Sequence, residues 1–151
     1  MDDIEKGLRD FLDYWFAGLM QGLDDLDESA RKTILHRCGS ACAKSYTVQV
    51  FREAKQTSTD MDSFLQNLAQ RFPGAHYKLA DPNTIQVTYN QCGCDLVRLG
   101  WVKSPSFCEC TVANLRENFQ QALGVPVSIV LETSILRGDA YCALTVSLDS
   151  L

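Results

Sequence analysis

The spacing of apolar residues is helical up to Gly74 and, apart from one inserted helix, alternating beyond it, and that order limits what the chain can fold into. Ile4, Leu8, Phe11, Leu12, Trp15, Phe16, Leu19, Met20 and Leu23 recur at intervals of three and four, which places them on one side of an amphipathic helix from Asp3 to Leu23. The stripe is broad and aromatic, so it either lies across the core of the subunit or also meets a second copy in a homodimer. Burial within the subunit is the simpler expectation. A second helix is predicted from about Glu28 to Ala43, capped by Asp27 or Ser29, and a third from about Met61 to Arg71, behind Asp60 and before Pro73-Gly74. The stretch between them, VQVFREAKQTST, shows no decisive period.

After Gly74 the period is two. AHYKLADPNTIQVTY reads as two alternating strands joined at Asp81-Pro82-Asn83, where Pro presets a turn and Asn tolerates its dihedrals. TVANLRENFQQALG then offers a helix capped by Thr111, with Val112, Leu115, Phe119 and Ala122 inward and Gly124 as terminator. PVSIVLETSI and AYCALTVSL close the chain as an antiparallel hairpin around LRGD, a bend that explains its RGD tripeptide without any receptor. With no internal repeat or linker, residues 1–151 form one α+β domain. Its N-terminal helices, about 1–72, pack on a mainly antiparallel sheet within about 75–151 that carries one inserted helix.

Hydrophobic residues make up 46% of the 151 positions, enough for one substantial core without covalent staples. A formal charge of −5 without clustered Lys and Arg opposes binding to a phosphate backbone, so nucleic acid is not an expected partner. The acidic start MDDIEKGLRD is unlike a secretory signal and no apolar run is long enough to span a bilayer, so a cytoplasmic protein with no membrane partner is expected. In such a compartment the seven cysteines, an odd number, are free thiols, metal ligands or redox groups rather than a disulfide framework.

Four of the seven lie in QCGCDLVRLGWVKSPSFCEC as two Cys-x-Cys pairs. In extended chain, residues two apart face the same way, so Cys92 with Cys94 and Cys108 with Cys110 would each present two sulfurs together. Two such pincers suit a tetrahedral zinc ion, or an iron–sulfur cluster as the alternative, although a zinc ribbon normally leaves two to four residues between paired cysteines. Cys38 and Cys42 stand one helical turn apart with His36 nearby. They enlarge the ligand pool, yet close packing beside Ala41 and Ala43 accounts for them without a metal. Cys142 falls in an alternating strand. Cys110 precedes the helix capped at Thr111, where the helix dipole would lower its pKa. His76, in a strand, reads as structural, and Glu132 as an outward-facing strand residue.

The segment from Phe107 onward resembles the C-terminal half of the 4-vinyl-reductase-like domains, which share a fold with Golgi-transport and nitric-oxide-signalling ligand-binding domains. The likeness rests on FCEC before a helix, the Gly124-Val125-Pro126-Val127 strand entry, Glu132, and SILRGDAYC leading to Cys142. SILRGDAYC, CGSACA and the Cys-x-Cys pairs are also similar to the L-2-amino-thiazoline-4-carboxylic acid hydrolase-like family. The first resemblance implies a zinc ion held by cysteines and a glutamate beside a ligand pocket, here Cys108 or Cys110, Glu132 and Cys142. Ser134 and Ile135 stand where a further cysteine is expected, so Cys92 or Cys94 would complete the set. The expected function is therefore a small-molecule-binding domain with its pocket between helices and sheet. The second resemblance implies a hydrolase of a small amide or cyclic thio-amidine, with a metal-bound water or a thiolate as nucleophile and Glu132, His36 or Glu109 as proton acceptor. An iron–sulfur or redox protein is the third reading.

Overall fold

In the computed structural model, which describes residues 3–149, six α-helices and four strands follow one another. The helices are α1 (Asp3–Asp25), α2 (Glu28–Cys42), α3 (Val48–Gln56), α4 (Met61–Arg71), α5 (Asp95–Arg98) and α6 (Cys108–Leu123). The strands are β1 (Ala75–Asp81), β2 (Thr84–Tyr89), β3 (Val127–Thr133) and β4 (Cys142–Leu148). They form one antiparallel sheet in the order β1-β2-β4-β3. The expected α+β architecture, helices on an antiparallel sheet with one inserted helix, is what the chain adopts.

Local chemistry sets most boundaries. Asp27 accepts the Ala30 N–H at 2.9 Å and starts α2, while Asp60 and Ser63 cap α4 reciprocally. Asn83 donates its N–H to the Asp81 side chain at 2.9 Å, which closes the two-residue β1–β2 turn behind Pro82. Gly124, at φ 70°, takes the left-handed position that ends α6. The stretch without a clear period is α3. VQVF alternates like a strand, yet Val48, Phe51 and Ala54 all point inward at helical spacing. A π-helical turn, Ala43–Thr47, joins α2 to α3, and there the Thr47 hydroxyl donates to the buried Asn118 at 2.9 Å.

Two apolar clusters result. The larger lies between the sheet and helices α3, α4 and α6, with Phe51, Phe64, Leu68 and Phe119 meeting Ile85, Val87, Leu144 and Val146. Phe119 receives Phe51 and Phe64 edge-on, at ring-centroid distances of 5.3 and 6.2 Å. The smaller gathers Met20 and Leu23 of α1, Leu35 of α2, and Val102 and Phe107 of the segment between β2 and α6.

Two expectations are corrected here. The stripe of α1 does not lie across the core: only Met20 and Leu23 are buried, while Ile4, Leu8, Phe11, Trp15 and Leu19 are exposed. Amphipathicity marks a face but not its cover. The residues that let α2 pack are Leu35, Gly39 and Ala43, not Cys38 and Cys42, which are exposed. A Cβ at Gly39 would overlap the Cys110 carbonyl oxygen and come within 2.9 Å of the Ala113 Cβ, so α2 and α6 approach as closely as they do because position 39 has no side chain.

Candidate functional site

The last inserted helix starts three residues earlier than its expected Thr111 cap, after a 3-10 turn at Pro105–Phe107. Cys108 and Cys110 therefore sit in the first turn of α6, where residues two apart point to roughly opposite sides. The extended-chain pincer is lost. Cys108 is buried and its sulfur lies 2.9 Å from the hydroxyl of Ser134, a residue fully removed from solvent after β3. Cys110 faces the other way, into the smaller cluster beside Cys94.

The Cys108–Cys110 pair is thus divided between two sides of α6, while Cys94 borders both groups, bearing on Cys92 and on Cys110. Cys92, Cys108 and Cys142 are near enough that the charges of Cys108 and Cys142 each bear on Cys92, and that of Cys142 on Cys108. Cys110 feels Cys42, Cys94 and Cys38 in the same way. Burial is the first cause of each resolved cysteine shift. It pushes the Cys110 thiol up to about 12, with repulsion from Cys42, Cys94 and Cys38 adding to it. Burial also raises Cys92, partly offset by the Cys94 N–H, and Cys108, partly offset by the Ser134 hydroxyl. The expectation that a helix dipole lowers the Cys110 pKa is corrected: desolvation among Phe107, Val102 and Leu35 outweighs it. Cys92, Cys108 and Cys110 are therefore neutral thiols near pH 7.

Backbone geometry brings the β3–β4 connection to the same place. Ser134 donates its N–H to Asp139 Oδ2 at 2.8 Å, Ile135 donates to Cys142 Sγ at 3.4 Å, and Gly138 turns the RGD bend at φ 98°. Glu132 is carried elsewhere. It is exposed on the outer face of the sheet, where its Oε1 accepts the Thr145 hydroxyl at 3.0 Å, whereas Cys142 follows the register of buried Leu144 on the inner face. Among the described residues, no three His, Cys, Asp or Glu side chains converge into a group that could hold a metal ion. The set implied by the resemblance does not converge, because Glu132 lies on the outer face of the sheet and Cys142 on the inner one, and no chemistry is derived through a zinc ion.

His36 and Glu109 do meet, at 2.9 Å between Nε2 and Oε2, and the Arg116 Nη2 lies 3.3 Å from Nδ1 of the same ring. With the ring proton on Nε2, the imidazole donates to Glu109 and accepts from Arg116. Both nitrogens are engaged, and no cysteine or serine is among the hydrogen-bond partners of His36 in the described residues. The arrangement ties α2 to α6 rather than activating a nucleophile. His76 is exposed and its Nε2 lies 3.1 Å from Asn90 Nδ2.

Sequence reasoning passed over the residues that wall the smaller cluster. Trp101 stacks on Phe16 with rings nearly parallel, 5.6 Å apart, and Val102 and Phe107 are buried beneath. GWV between Gly100 and Lys103 was the available signal: an apolar pair inside a polar loop. Two hollows of about 480 Å³ open elsewhere on the helical surface. One is lined by Tyr46, Val50 and Arg71 among others, the other by Glu28, Lys32 and His36. Both are open to solvent and neither touches the thiols.

A family model described as "Family of unknown function (DUF6144)" matches residues 8–150. The chain belongs to this family. No curated protein matches it. Two solved structures are similar to this DUF6144 chain. One is a trafficking protein particle complex subunit 3 from Naegleria fowleri, covalently bound to palmitic acid. It is 14% identical at a TM-score of 0.56, over 96% of this chain and 97% of that one. The other is the phenol-responsive sensory domain of the transcription activator PoxR with phenol, 12% identical at a TM-score of 0.60, over 91% of this chain and 74% of that one. At these identities the likeness is one of fold, and the fold is the one the 4-vinyl-reductase-like resemblance implies. No helix among the described residues is long and apolar enough to cross a membrane.

Proposed function

We propose that this DUF6144 domain binds a small apolar molecule in its smaller cluster, between the end of α1, α2, the 90–107 segment and the start of α6. The observation that carries the reading is a second apolar cluster, apart from the sheet-side core, whose walls include the thiols of Cys94 and Cys110 and an irregular segment. A wall of short turns separates from its neighbours at less cost than a sheet does, so a ligand can enter where the main core cannot be opened. The fold likeness adds support, since one relative in shape carries palmitic acid and the other phenol. Thiol side chains and aromatic rings suit an aryl or acyl group better than a charged metabolite.

Trp101 supplies the test. Titration with phenols and with medium-chain fatty acids should change its fluorescence and raise the melting temperature, and Val102→Trp, which fills the cluster, should abolish both. Unchanged melting with every ligand of both classes would end this reading. The zinc ion expected from the cysteine pairs has its own test: metal per chain after anaerobic purification, for the wild type and for Cys92→Ser, Cys94→Ser, Cys108→Ser, Cys110→Ser and Cys142→Ser. An iron–sulfur cluster would show in the visible absorption of the same material.

A further inference from the structure

We propose that the exposed face of α1 is the seat of a second copy of this chain, with the two α1 helices antiparallel and crossing at Phe11. Only two side chains of this 23-residue helix, about 34 Å long at ~1.5 Å per residue, are buried. Ile4, Leu8, Phe11, Tyr14, Trp15 and Leu19 remain 40% to 83% exposed. Together they expose on the order of 700 Å², close to the roughly 800 Å² that each partner contributes to a standard interface. A contiguous apolar patch of this size on a lone subunit calls for a cover.

The glycines favour a second helix as that cover. Gly7, Gly18 and Gly22 fall along the edge of the apolar stripe, and a Cβ at any of them would meet nothing within 4 Å in the single chain. Each costs the helix roughly 1 kcal/mol relative to Ala, with no intramolecular packing to explain it. Antiparallel pairing about Phe11 supplies a reason for Gly7 and Gly18. It sets Ile4 opposite Gly18 and Trp15 opposite Gly7, large against small in two of four pairs, with Leu8 opposite Tyr14 and Phe11 meeting its own counterpart. A parallel pair would put Trp15 on Trp15 and leave glycine facing glycine. Two-fold symmetry makes the surface self-complementary, and opposed helix dipoles add to the preference. A lipid surface fits less well: the helix carries six acidic side chains against two basic ones, Lys6 and Arg9, the wrong balance for anionic headgroups.

Sedimentation equilibrium of the full chain from about 1 to 100 μM should show a species of twice 16.9 kDa that dissociates on dilution. Phe11→Glu, at an exposed position, should leave the helical circular dichroism unchanged and weaken association at least tenfold. Gly18→Leu should likewise weaken association, while raising rather than lowering the melting temperature of the single chain, because it adds helix propensity where nothing obstructs it. A photoreactive benzoylphenylalanine at Leu8 should crosslink into the partner's segment around Tyr14. A chain monomeric at every concentration, a dimer indifferent to Phe11→Glu, or crosslinks of position 8 to its own counterpart would each overturn the proposal. So would tight binding to anionic or neutral vesicles that Phe11→Glu abolishes.

Discussion

The sheet-side core and the thiol-lined cluster both rest on α6, yet they are closed by different kinds of structure. The first is walled by β2, β4, α3 and α4, whose backbones are held in ladders and whose aromatic rings meet edge to face. The second is walled by helix ends and by the 90–107 segment, with Trp101 stacked over it and cysteines along its sides. Apolar content alone does not separate them. The difference is how much ordered backbone must move to open each one, which is why the proposed binding site is the second.

The contrast should be sharpest in deletion experiments. Phe119→Ala, at the centre of the larger cluster, should cost about 3–5 kcal/mol in denaturant unfolding, and Val102→Ala in the smaller one roughly 1–2 kcal/mol. Equal costs would erase the distinction. Next in size is Gly39→Ala, which forces α2 away from α6 at the boundary between the clusters; about 1–3 kcal/mol of lost stability is expected. A neutral result would show that the two helices have slack there. Ser134→Ala should cost about 1 kcal/mol, since it leaves the buried Cys108 sulfur without its hydroxyl. Because that hydroxyl lowers the Cys108 pKa, its loss should also slow Cys108 modification by a thiol reagent at pH 8. Faster modification would mean the cluster has opened instead.

The smallest effect is on pH dependence. The folded Cys110 pKa, about 12, lies above the ordinary 9.0 of a thiol, so the folded chain keeps a proton that the unfolded chain releases. Its contribution to stability is full below pH 9 and declines as pH rises from about 9 towards 12. Melting temperature measured anaerobically should fall less steeply above pH 9 in Cys110→Ala than in the wild type. Identical slopes would place Cys110 in water rather than in the cluster.

The helices and strands could be read from the chain because their causes are local. Asp27, Asp60 and Gly124 act on backbone groups within a turn of themselves, and the alternation after Gly74 needs only neighbouring residues to be read. The path of α3 was obscured because VQVF satisfies a two-residue period as well as a helical one, and packing against α6 and α4 chose between them. The site was less legible. The Cys-x-Cys pairs promised paired sulfurs on the assumption of extended chain, and that assumption failed when Pro105 and Phe107 started a turn that took Cys108 into α6.

Periodicity by itself determined which face of each element is apolar, and capping chemistry determined where most elements begin and end, because both act over a few residues. What covers each face was decided only by tertiary structure. The stripe of α1 is as regular as that of α4, but one is exposed and the other buried. Cys108 and Cys110 look alike in sequence, yet they face opposite sides of α6. Ser134, ordinary in sequence, is sealed against Cys108 because the β3–β4 connection folds back over the helix start. Those outcomes depend on residues far apart in the chain meeting at a single place, and no short-range pattern records that meeting.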